Sequence, residues 1–294
     1  MGQEVMSDSV IGRKGAFRLP SYVFLLFPAV AFILIMYAYP FILSFVKSFE
    51  LDGAFSTANY KKAVELYYMD ITFTFLVTLF NSTLATLLGV LLSVYFRLND
   101  SFISRTLIKL YRIPIFIPFV VVAQMMNSFL APHGILNLFL GKIGLIDLDN
   151  PLQLFNFAGL SFGFAWKLIP FTVMIIFGGF QMIDNSYIEA ARSAGAKLHQ
   201  IIIKILIPMN GSSILVAMVL VYSQIVGTFT LPYMLIGGKI PTTITVDIAH
   251  RVNYYRDFGV ANALGVFSYI MVIVTAVYYL RMNMKDAKIA HPIG

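Results

Sequence analysis

Residues 184–211 of the chain read DNSYIEAARSAGAKLHQIIIKILIPMNG and form a short polar interruption between two long apolar runs. A loop that only reconnects two membrane helices needs just a few residues. This stretch instead contains two helical pieces, one on either side of Gly195. Such an arrangement is expected of a segment that binds another protein. We therefore expect the chain to be a moving part of a larger assembly, with this stretch in the cytoplasm.

The first helical piece carries a Ser-x-x-Glu pattern, which predicts a helix start at Ser186 and a capping box closed by Glu189. Small residues at helical spacing form one face, over which another surface could approach the backbone closely: Tyr187, Ala190, Ala191 and Ala194. Gly195 predicts a left-handed helix cap, and Pro208 predicts the end of the second piece. The spacing alone leaves open an amphipathic loop that packs on its own bundle.

The composition is that of a membrane protein. Of 294 residues 59% are apolar and 12% are charged, and the mean hydropathy is +0.82. A soluble domain carries roughly twice that charged fraction, whereas apolar runs long enough to cross a ~30 Å hydrocarbon layer recur here. The predicted fold is an all-α, polytopic transmembrane helical bundle. Because the chain has no cysteine, it has neither disulfides nor thiolate metal sites.

Six membrane spans are predicted, at residues 22–46, 72–96, 113–131, 157–181, 212–236 and 260–280. They define a six-span domain over residues 22–280, preceded by a cytoplasmic segment 1–21 and followed by a cytoplasmic tail 281–294. With both termini inside, basic residues on the cytoplasmic side outnumber those outside by about two to one, as the positive-inside rule requires. The net charge of +7 therefore reflects topology, and no nucleic-acid partner is expected.

The loops on the predicted outer side are longer than tight turns. Residues 58–68 have apolar positions at helical spacing and several aromatic residues. This pattern predicts a helix lying along the outer membrane surface, in contact with lipid.

Several polar and aromatic residues fall within the predicted spans and are candidates to line a solute path: Asn81, Gln124, Asn127, Trp166, Lys167, Tyr222 and Gln224. A lysine near the bilayer centre costs roughly 2.5–3.5 kcal/mol, so Lys167 must face a partner, a cavity or a bent helix. Aromatic faces and amides suit sugar rings, and a lysine would favour an anionic solute. The alternative is that these residues make interhelical hydrogen bonds. The histidines lack paired ligand spacing, so no metal site is expected, and no catalytic set stands out.

The polar stretch also resembles the signature loop of ATP-binding-cassette (ABC) importer permeases, which reads Glu-Ala-Ala, three residues, Gly, nine residues and Ile-x-Leu-Pro. The residues that match are Glu189, Ala190, Ala191, Gly195, Ile205 and Pro208. The resemblance covers most of residues 22–285, including Asn59-Tyr60 and the Leu-Ile-Gly-Gly-Lys-Ile-Pro-Thr-Thr run at 235–243. It is strongest to the binding-protein-dependent sugar permeases, in the maltose-importer F-type or glycerol-phosphate A-type subunit. Asp184 stands where that family frequently has proline.

This resemblance implies a type I ABC importer permease in the plasma (inner) membrane of a bacterium or archaeon, transporting a sugar, oligosaccharide or related polyol. The implied partners are a second homologous permease, a cytoplasmic ATPase dimer docked on the 184–208 loop, and an extracellular solute-binding protein. ATP and Mg²⁺ would be bound by the ATPase, because Gly141-Lys142 and Gly238-Lys239 are followed by Ile where a Walker loop needs Ser or Thr. The chain is thus expected not to be an enzyme and to carry no cofactor.

The alternative function is a self-sufficient secondary transporter or channel for a small polar solute. Such a protein is expected to show broken helices, symmetric halves and intramembrane carboxylates. All acidic residues lie outside the six predicted spans, which disfavours coupling to protons or sodium through carboxylates.

Overall fold

The computed structural model of the protein describes residues 26–237, 239 and 241–290. Some predicted features lie outside these described residues: the N-terminal segment 1–21, the start of the first span at 22–25, Gly238 and Ile240 of the 235–243 run, and the end of the tail at 291–294.

The chain divides into two compact units after Ser44. In the first unit, the described residues form the greater part of helix α1 (Phe27–Ser48), which includes a π-helical stretch at Leu34–Ala38. The second unit begins at Phe45 and contains all the elements that follow.

Helices make up nearly all of the described structure. A small hairpin pairs β1 (Glu50–Leu51) antiparallel with β2 (Ala54–Phe55). The helices after it are α2 (Ala58–Leu98), α3 (Phe102–Leu110), α4 (Phe119–Leu130), α5 (Ile135–Lys142), α6 (Phe157–Gln181), α7 (Asn185–Ser193), α8 (Leu198–Met209), α9 (Gly211–Gly227), α10 (Thr230–Ile236), α11 (Ile244–His250) and α12 (Phe258–Ala290).

The predicted all-α membrane bundle is confirmed. Within the described residues, five helical stretches are long and apolar enough to span a membrane, and the pair α8 and α9, bent by 69°, would make a sixth. The fourth predicted span, 157–181, coincides with α6. Asn156 starts this helix because its Oδ1 accepts hydrogen bonds from the backbone N–H groups of Ala158 and Gly159.

The third predicted span, 113–131, is wrong at its first residues. Ile113–Phe116 form a 3₁₀ turn, and α4 begins only at Phe119. The cause is Pro118, which lacks an N–H group and disfavours helical geometry in the residue before it. Ile117 is accordingly extended, with φ −80° and ψ 122°.

The fifth predicted span also differs from the structure. Within 212–236 the helix stops at Gly227, because Thr228 is extended (φ −80°, ψ 120°), and α10 starts afresh at Thr230. The sixth predicted span, 260–280, agrees with the apolar stretch Phe258–Tyr278 of α12, and the helix itself continues to Ala290. Polar residues do not end a helix, since its backbone hydrogen bonds are internal and the helix can continue out of the membrane.

Residues 58–68 are helical as predicted, and a kink at Tyr67 separates most of them from the rest of the helix. They are the first part of the 41-residue α2, which has one non-helical residue at Tyr67 (φ −126°, ψ 16°). Ala63 is fully buried, in a cluster with Ile244, Val260 and Leu264. The segment is therefore held by protein contacts from α11 and α12.

The core of the second unit is built around α2 and α6, which make the most extensive helix–helix interface among the described elements. α9 packs on both of them, and α4 and α10 pack on each other. Fully buried apolar side chains from α2, α4 and α6, including Val77, Val122 and Phe164, join Val221 of α9 and Leu231 of α10 in one cluster. A second cluster lies where α6 leads into α7.

Candidate functional site

Helix α7 is the first part of the signature segment, and its start differs from the prediction. The N-cap is Asp184, whose Oδ1 accepts a hydrogen bond of 2.7 Å from the Ser186 backbone N–H. Ser186 lies inside the first turn, so the predicted capping box with Glu189 is wrong. Asp184 instead satisfies one of the free backbone N–H groups of the first turn, that of Ser186, and this hydrogen bond lowers the pKa of the exposed Asp184 carboxyl.

Gly195 ends α7 as the sequence predicts. Its φ is +79°, in the left-handed region, and a Cβ atom added there would meet no atom within 4 Å. The Ala196 N–H donates to the Ala191 carbonyl at 2.9 Å and the Gly195 N–H donates to the Arg192 carbonyl at 2.9 Å, which is a Schellman cap. Glycine is therefore needed here for its backbone conformation and not for space.

α7 has a buried face and an exposed face. Ile188 is only 5% exposed and packs in the cluster with Val94, Phe180 and Leu206, while Ala191 is half-buried against it. The opposite face consists of exposed residues: Tyr187, Glu189, Ala190 and Ala194. Glu189 makes no ion pair within 4.0 Å among the described residues. The segment thus packs on its own bundle and also presents a small-residue surface with a free carboxylate.

The second piece, α8, begins after Lys197, whose backbone N–H donates to Gln200 Oε1 at 2.8 Å. Its middle, Ile202–Leu206, is π-helical, and the helix continues one residue past Pro208 to Met209. A π turn widens the helix where the proline ring would otherwise collide with a carbonyl of the preceding turn. Ile205 is half-buried and Pro208 is exposed, just before the 69° bend into α9.

Two residues that fix this segment were missed from the sequence. Arg97, at the end of α2, donates hydrogen bonds to Phe180 O, Ile183 O and Asn185 Oδ1. Asn210, between α8 and α9, donates to Ile176 O. From the sequence, Arg97 counts only as one of the basic residues on the predicted cytoplasmic side. Its hydrogen-bond partners could not be predicted, since no local pattern connects it to residues more than eighty positions away.

Lys167 is 8% exposed and is bound by backbone carbonyls. Its Nζ donates to Pro114 O, Ile115 O and Ile117 O at 2.9, 3.1 and 2.5 Å. The ammonium also lies 5.3 Å from the ring centroid of Phe119. Because the chain is broken before α4, the backbone hydrogen-bond ladder is incomplete there, and the lysine Nζ supplies donors to these carbonyls. Of the three, Pro114 O also accepts a hydrogen bond from the Ile117 backbone N–H at 3.3 Å.

Two of the predicted path residues make the interhelical hydrogen bonds of the alternative interpretation. Asn81 is buried, and its Nδ2 donates to Ser161 Oγ of α6 at 3.1 Å. Asn127 Nδ2 donates to the Met234 carbonyl of α10 at 3.0 Å. Tyr222 is buried within α9.

The remaining predicted path residues line cavities. Gln124 and Trp166 border a cavity of about 650 Å³ between α4, α5 and α6, whose other walls are largely apolar. Gln224 and Lys167 border a separate cavity of about 350 Å³ beside residues 115–119. The structure therefore brings these residues together in two pairs and does not form one continuous site from all seven predicted residues.

At the opposite end of α6 from the signature segment, two carboxylates are buried that the sequence did not predict to be buried. Asp70 lies within α2, and its Oδ1 accepts a hydrogen bond of 2.6 Å from the Thr242 backbone N–H. Asp247 of α11 is 4% exposed, and its Oδ2 has no hydrogen-bond partner in the described structure. Burial first, and then the neighbouring Asp70 carboxylate, raise the pKa of Asp247 to about 8, against a lowering effect of Arg251.

No cluster of three or more His, Cys, Asp or Glu side chains suited to a metal ion occurs among the described residues. The Asp70 carboxyl helps to hold the chain just before α11 through Thr242, and Thr74 Oγ1 also accepts a hydrogen bond from the Ile244 backbone N–H at 2.9 Å.

The fold is similar to that of known importer chains. A chain in the structure of a bacterial alginate ABC transporter in complex with an alginate pentasaccharide-bound periplasmic protein superposes with a TM-score of 0.75. The two are 19% identical, over 90% of this chain and 94% of that chain. A second structure, of a bacterial ABC transporter involved in the import of alginate, gives a TM-score of 0.71 at 21% identity, again over 90% and 94%.

Three curated relatives have similar sequences. The sulfoquinovosyl glycerol permease SmoG of Agrobacterium fabrum is 31% identical over 52% of each chain, so the match spans about half its length. The trehalose/maltose permease MalF of Thermococcus litoralis is 26% identical over 68% of this chain and 69% of that protein. The spermidine/putrescine permease PotB of Escherichia coli K12 is 26% identical over 84% and 88%.

The described helices thus form a membrane-type bundle whose fold matches chains of two ABC transporter structures. The chain belongs to the family of binding-protein-dependent transport system inner membrane components, whose model matches residues 85–284. The family resemblance predicted from the signature motif is thereby confirmed, and with it transport as a permease in preference to the self-sufficient carrier.

Proposed function

We propose that the chain forms, with a second homologous permease, the translocation path for a sugar, oligosaccharide or related polyol. A separate ATPase drives transport through the 184–208 segment. ATP and Mg²⁺ are bound by that ATPase dimer, and an extracellular solute-binding protein delivers the solute. The chain lies in the inner membrane of a bacterium or archaeon with both termini in the cytoplasm, which places the signature segment beside the ATPase.

The observation that carries this proposal is the two-faced packing of α7. Its buried face, centred on Ile188, joins the bundle, so a force applied to α7 reaches the helices. Its exposed face combines the small side chains of Ala190 and Ala194 with the unpaired carboxylate of Glu189. A groove with a basic group would gain a charge-assisted hydrogen bond from Glu189 and close contact with the small residues.

The positive charge of Lys167 favours a neutral or anionic solute. Lys167 borders the cavity that also contains Gln224, and it is the charged side chain among the proposed path residues. A polyamine cation would be repelled by this ammonium, although a polyamine permease is among the relatives. The buried Asp70 and Asp247 do not counter this argument, because neither is among the residues that line the cavity of Lys167 and Gln224.

Docking is tested by tagging the chain, purifying the complex and measuring how much ATPase is retained. Reversing the charge in Glu189→Lys places like charges together, which costs several kcal/mol at an interface, so the ATPase should be lost. Gly195→Val should also lose it, because a β-branched residue at φ +79° costs about 1–2 kcal/mol or more and disturbs the helix end.

Asp100→Lys is the matched control, since it also reverses an exposed carboxylate but lies before α3 and outside the segment. It should retain the ATPase. If Glu189→Lys and Gly195→Val both kept the ATPase and normal uptake, the segment would not be the docking element.

The solute class is tested with the same complex in proteoliposomes, supplied with ATP and the co-purified binding protein. Labelled trehalose, maltose, alginate oligosaccharide and spermidine are offered separately. Uptake of at least one carbohydrate, with no uptake of spermidine, is expected. ATP-dependent uptake of spermidine alone would overturn the sugar assignment and leave the importer assignment in place.

A further inference from the structure

The entry to the signature segment is held by one side chain of α2. Arg97 Nε donates to Phe180 O at 2.9 Å, and its Nη2 donates to Ile183 O at 2.8 Å and to Asn185 Oδ1 at 2.6 Å. Phe180 is in the last turn of α6, and Asn185 is the first residue of α7. A single guanidinium therefore links three helices across the turn between α6 and α7.

The chemistry of this contact suits arginine. The last carbonyls of a helix have no partner within the helix, and a cation is favoured at the negative end of the helix dipole. The guanidinium offers several N–H donors in a rigid plane, whereas lysine offers a single point charge. Arg97 can therefore bind the carbonyl groups and the amide of Asn185 at once.

The contact is bordered by open space, so Arg97 is not simply one member of a packed core. It lines a cleft of about 420 Å³ that also contains Gln181 and Asp184. It also lines a cleft of about 230 Å³ that contains Glu189 and Arg192. At this point the polar contact of Arg97, rather than close packing, joins the end of α2 to the start of α7.

The exit of the segment is fixed to the same end of α6. Asn210 is 3% exposed, and its Nδ2 donates to Ile176 O at 2.8 Å. A Cβ atom added at Gly179 would lie 2.0 Å from Asn210 Oδ1 and 2.3 Å from Ser213 Oγ. Glycine at 179 therefore lets the chain around Asn210 lie directly against α6.

We propose that Arg97 and Asn210 are the positioning residues that anchor the two ends of the 184–208 segment to α6, with Arg97 also passing its displacement to α2. This inference rests on the proposed docking of the segment to an ATPase. With both ends anchored, a push on α7 moves the ends of α2 and α6 together. Without the anchors, a displacement of α7 changes only the backbone angles of the turn at 182–184 and of the left-handed Gly195, and it does not reach α2 and α6.

The test measures solute transported per ATP hydrolysed by the tagged complex in proteoliposomes, with the carbohydrate identified by the uptake assay above. Arg97→Gln and Asn210→Ala should retain the ATPase and hydrolyse ATP, but solute moved per ATP should fall at least about fivefold, the low end of measured coupling. Arg97→Lys, which keeps the charge without the planar donors, should give an intermediate value. A side chain needed only for stability would lower the amount of complex and leave this ratio unchanged.

The matched control is Arg105→Gln, which removes an arginine that pairs with Asp100 at the same end of the bundle, 66% exposed. It should keep the wild-type ratio. Asn185→Ala removes one acceptor of Arg97 without changing any charge. It tests the anchoring role of Arg97 if the Arg97→Gln variant fails to insert into the membrane. It should lower the ratio in the same direction.

A wild-type ratio in Asn185→Ala and Asn210→Ala would overturn the inference, and so would loss of the ATPase from these variants, since anchoring would then be part of docking. The outcome for Glu189→Lys separates the two proposals. If that variant loses the ATPase while the anchor variants are normal, only the anchoring role fails. If it keeps the ATPase and normal uptake, the docking proposal itself fails.

Discussion

Glu189 and Lys167 are charged residues in opposite environments. Glu189 is exposed on α7 and has no ion-pair partner within 4.0 Å in the described structure. Lys167 is buried in α6 and donates to three backbone carbonyls. An exposed charge loses little by remaining unpaired because water solvates it, whereas a buried charge must be satisfied within the protein. The first charge is therefore available to a partner protein, and the second is already bound to its own chain.

The same contrast extends to the regions around them. The signature segment offers small and charged groups at its surface, while the polar residues of the spans mostly join helices to one another, as Asn81 and Asn127 do. The difference indicates that the position of a polar residue decides its partner. Within the membrane spans it forms hydrogen bonds between helices, and outside them its side chain can bind another protein. Three experiments can break or sharpen this distinction.

The largest effect is expected for Lys167→Met, which keeps the length of the side chain and removes its donors. The carbonyls of Ile115 and Ile117 would lose this donor, whereas Pro114 O would keep the Ile117 backbone N–H. An acceptor left unpaired away from water costs about 1–3 kcal/mol. The melting temperature of the purified protein in detergent should fall clearly. The exposed Lys142→Met should leave it unchanged. An unchanged melting temperature with altered solute uptake would instead assign Lys167 to the solute.

A smaller effect is expected at the opposite end of the bundle from Asp247→Asn. The pKa of this carboxyl is raised by burial and by Asp70 to about 8, so the folded protein keeps a proton that the unfolded chain releases near pH ~4. The stability that this group contributes is complete below about pH 4 and is lost as the pH rises to about 8.

Asn cannot ionise, so melting temperatures of Asp247→Asn measured from pH 5 to 8.5 should fall less steeply than those of the wild type. The exposed outer-loop variant Asp147→Asn serves as the control and should keep the wild-type slope. A slope unchanged by Asp247→Asn would show that this carboxyl is already ionised at low pH.

The smallest effect concerns the start of α7. Asp184→Ala removes the side-chain acceptor that caps the helix, so α7 should fray at its first turn and ATPase retention should weaken modestly. Ser186→Ala, in the position that the sequence predicted for the cap, should have a weaker effect. Retention of ATPase by the two purified variants, compared side by side, tests this order. Equal loss in both would restore the serine as a functional cap.

Much of the fold could be predicted from the sequence because hydropathy and helix caps are local. The span 157–181 is correct to the residue, since Asn156 starts it and the apolar run is uninterrupted. The breaks at Pro118 and Thr228 could not be placed by hydropathy, because the residues around them are as apolar as the rest of the span. The sixth span agrees with the apolar stretch Phe258–Tyr278, while α12 continues beyond it to Ala290, since a change in polarity is not a helix end.

The candidate sites divide in the same way. The left-handed Gly195 was predictable, because only glycine takes that conformation at low cost at a helix end. The carbonyl shell of Lys167 and the anchor at Arg97 were not, because their partners lie about fifty and more than eighty residues away in the sequence. Sequence spacing carries no information on which helices lie side by side.

By itself, the sequence determined that this is a helical membrane permease with two helical pieces joined at Gly195, since apolar length, helix caps and a contiguous motif are properties of neighbouring residues. Only the tertiary structure decided which polar side chains are already bound. The helix packing brings Arg97 to the turn after α6 and Lys167 to the backbone carbonyls before α4. Desolvation then requires each buried donor to find an acceptor within the bundle.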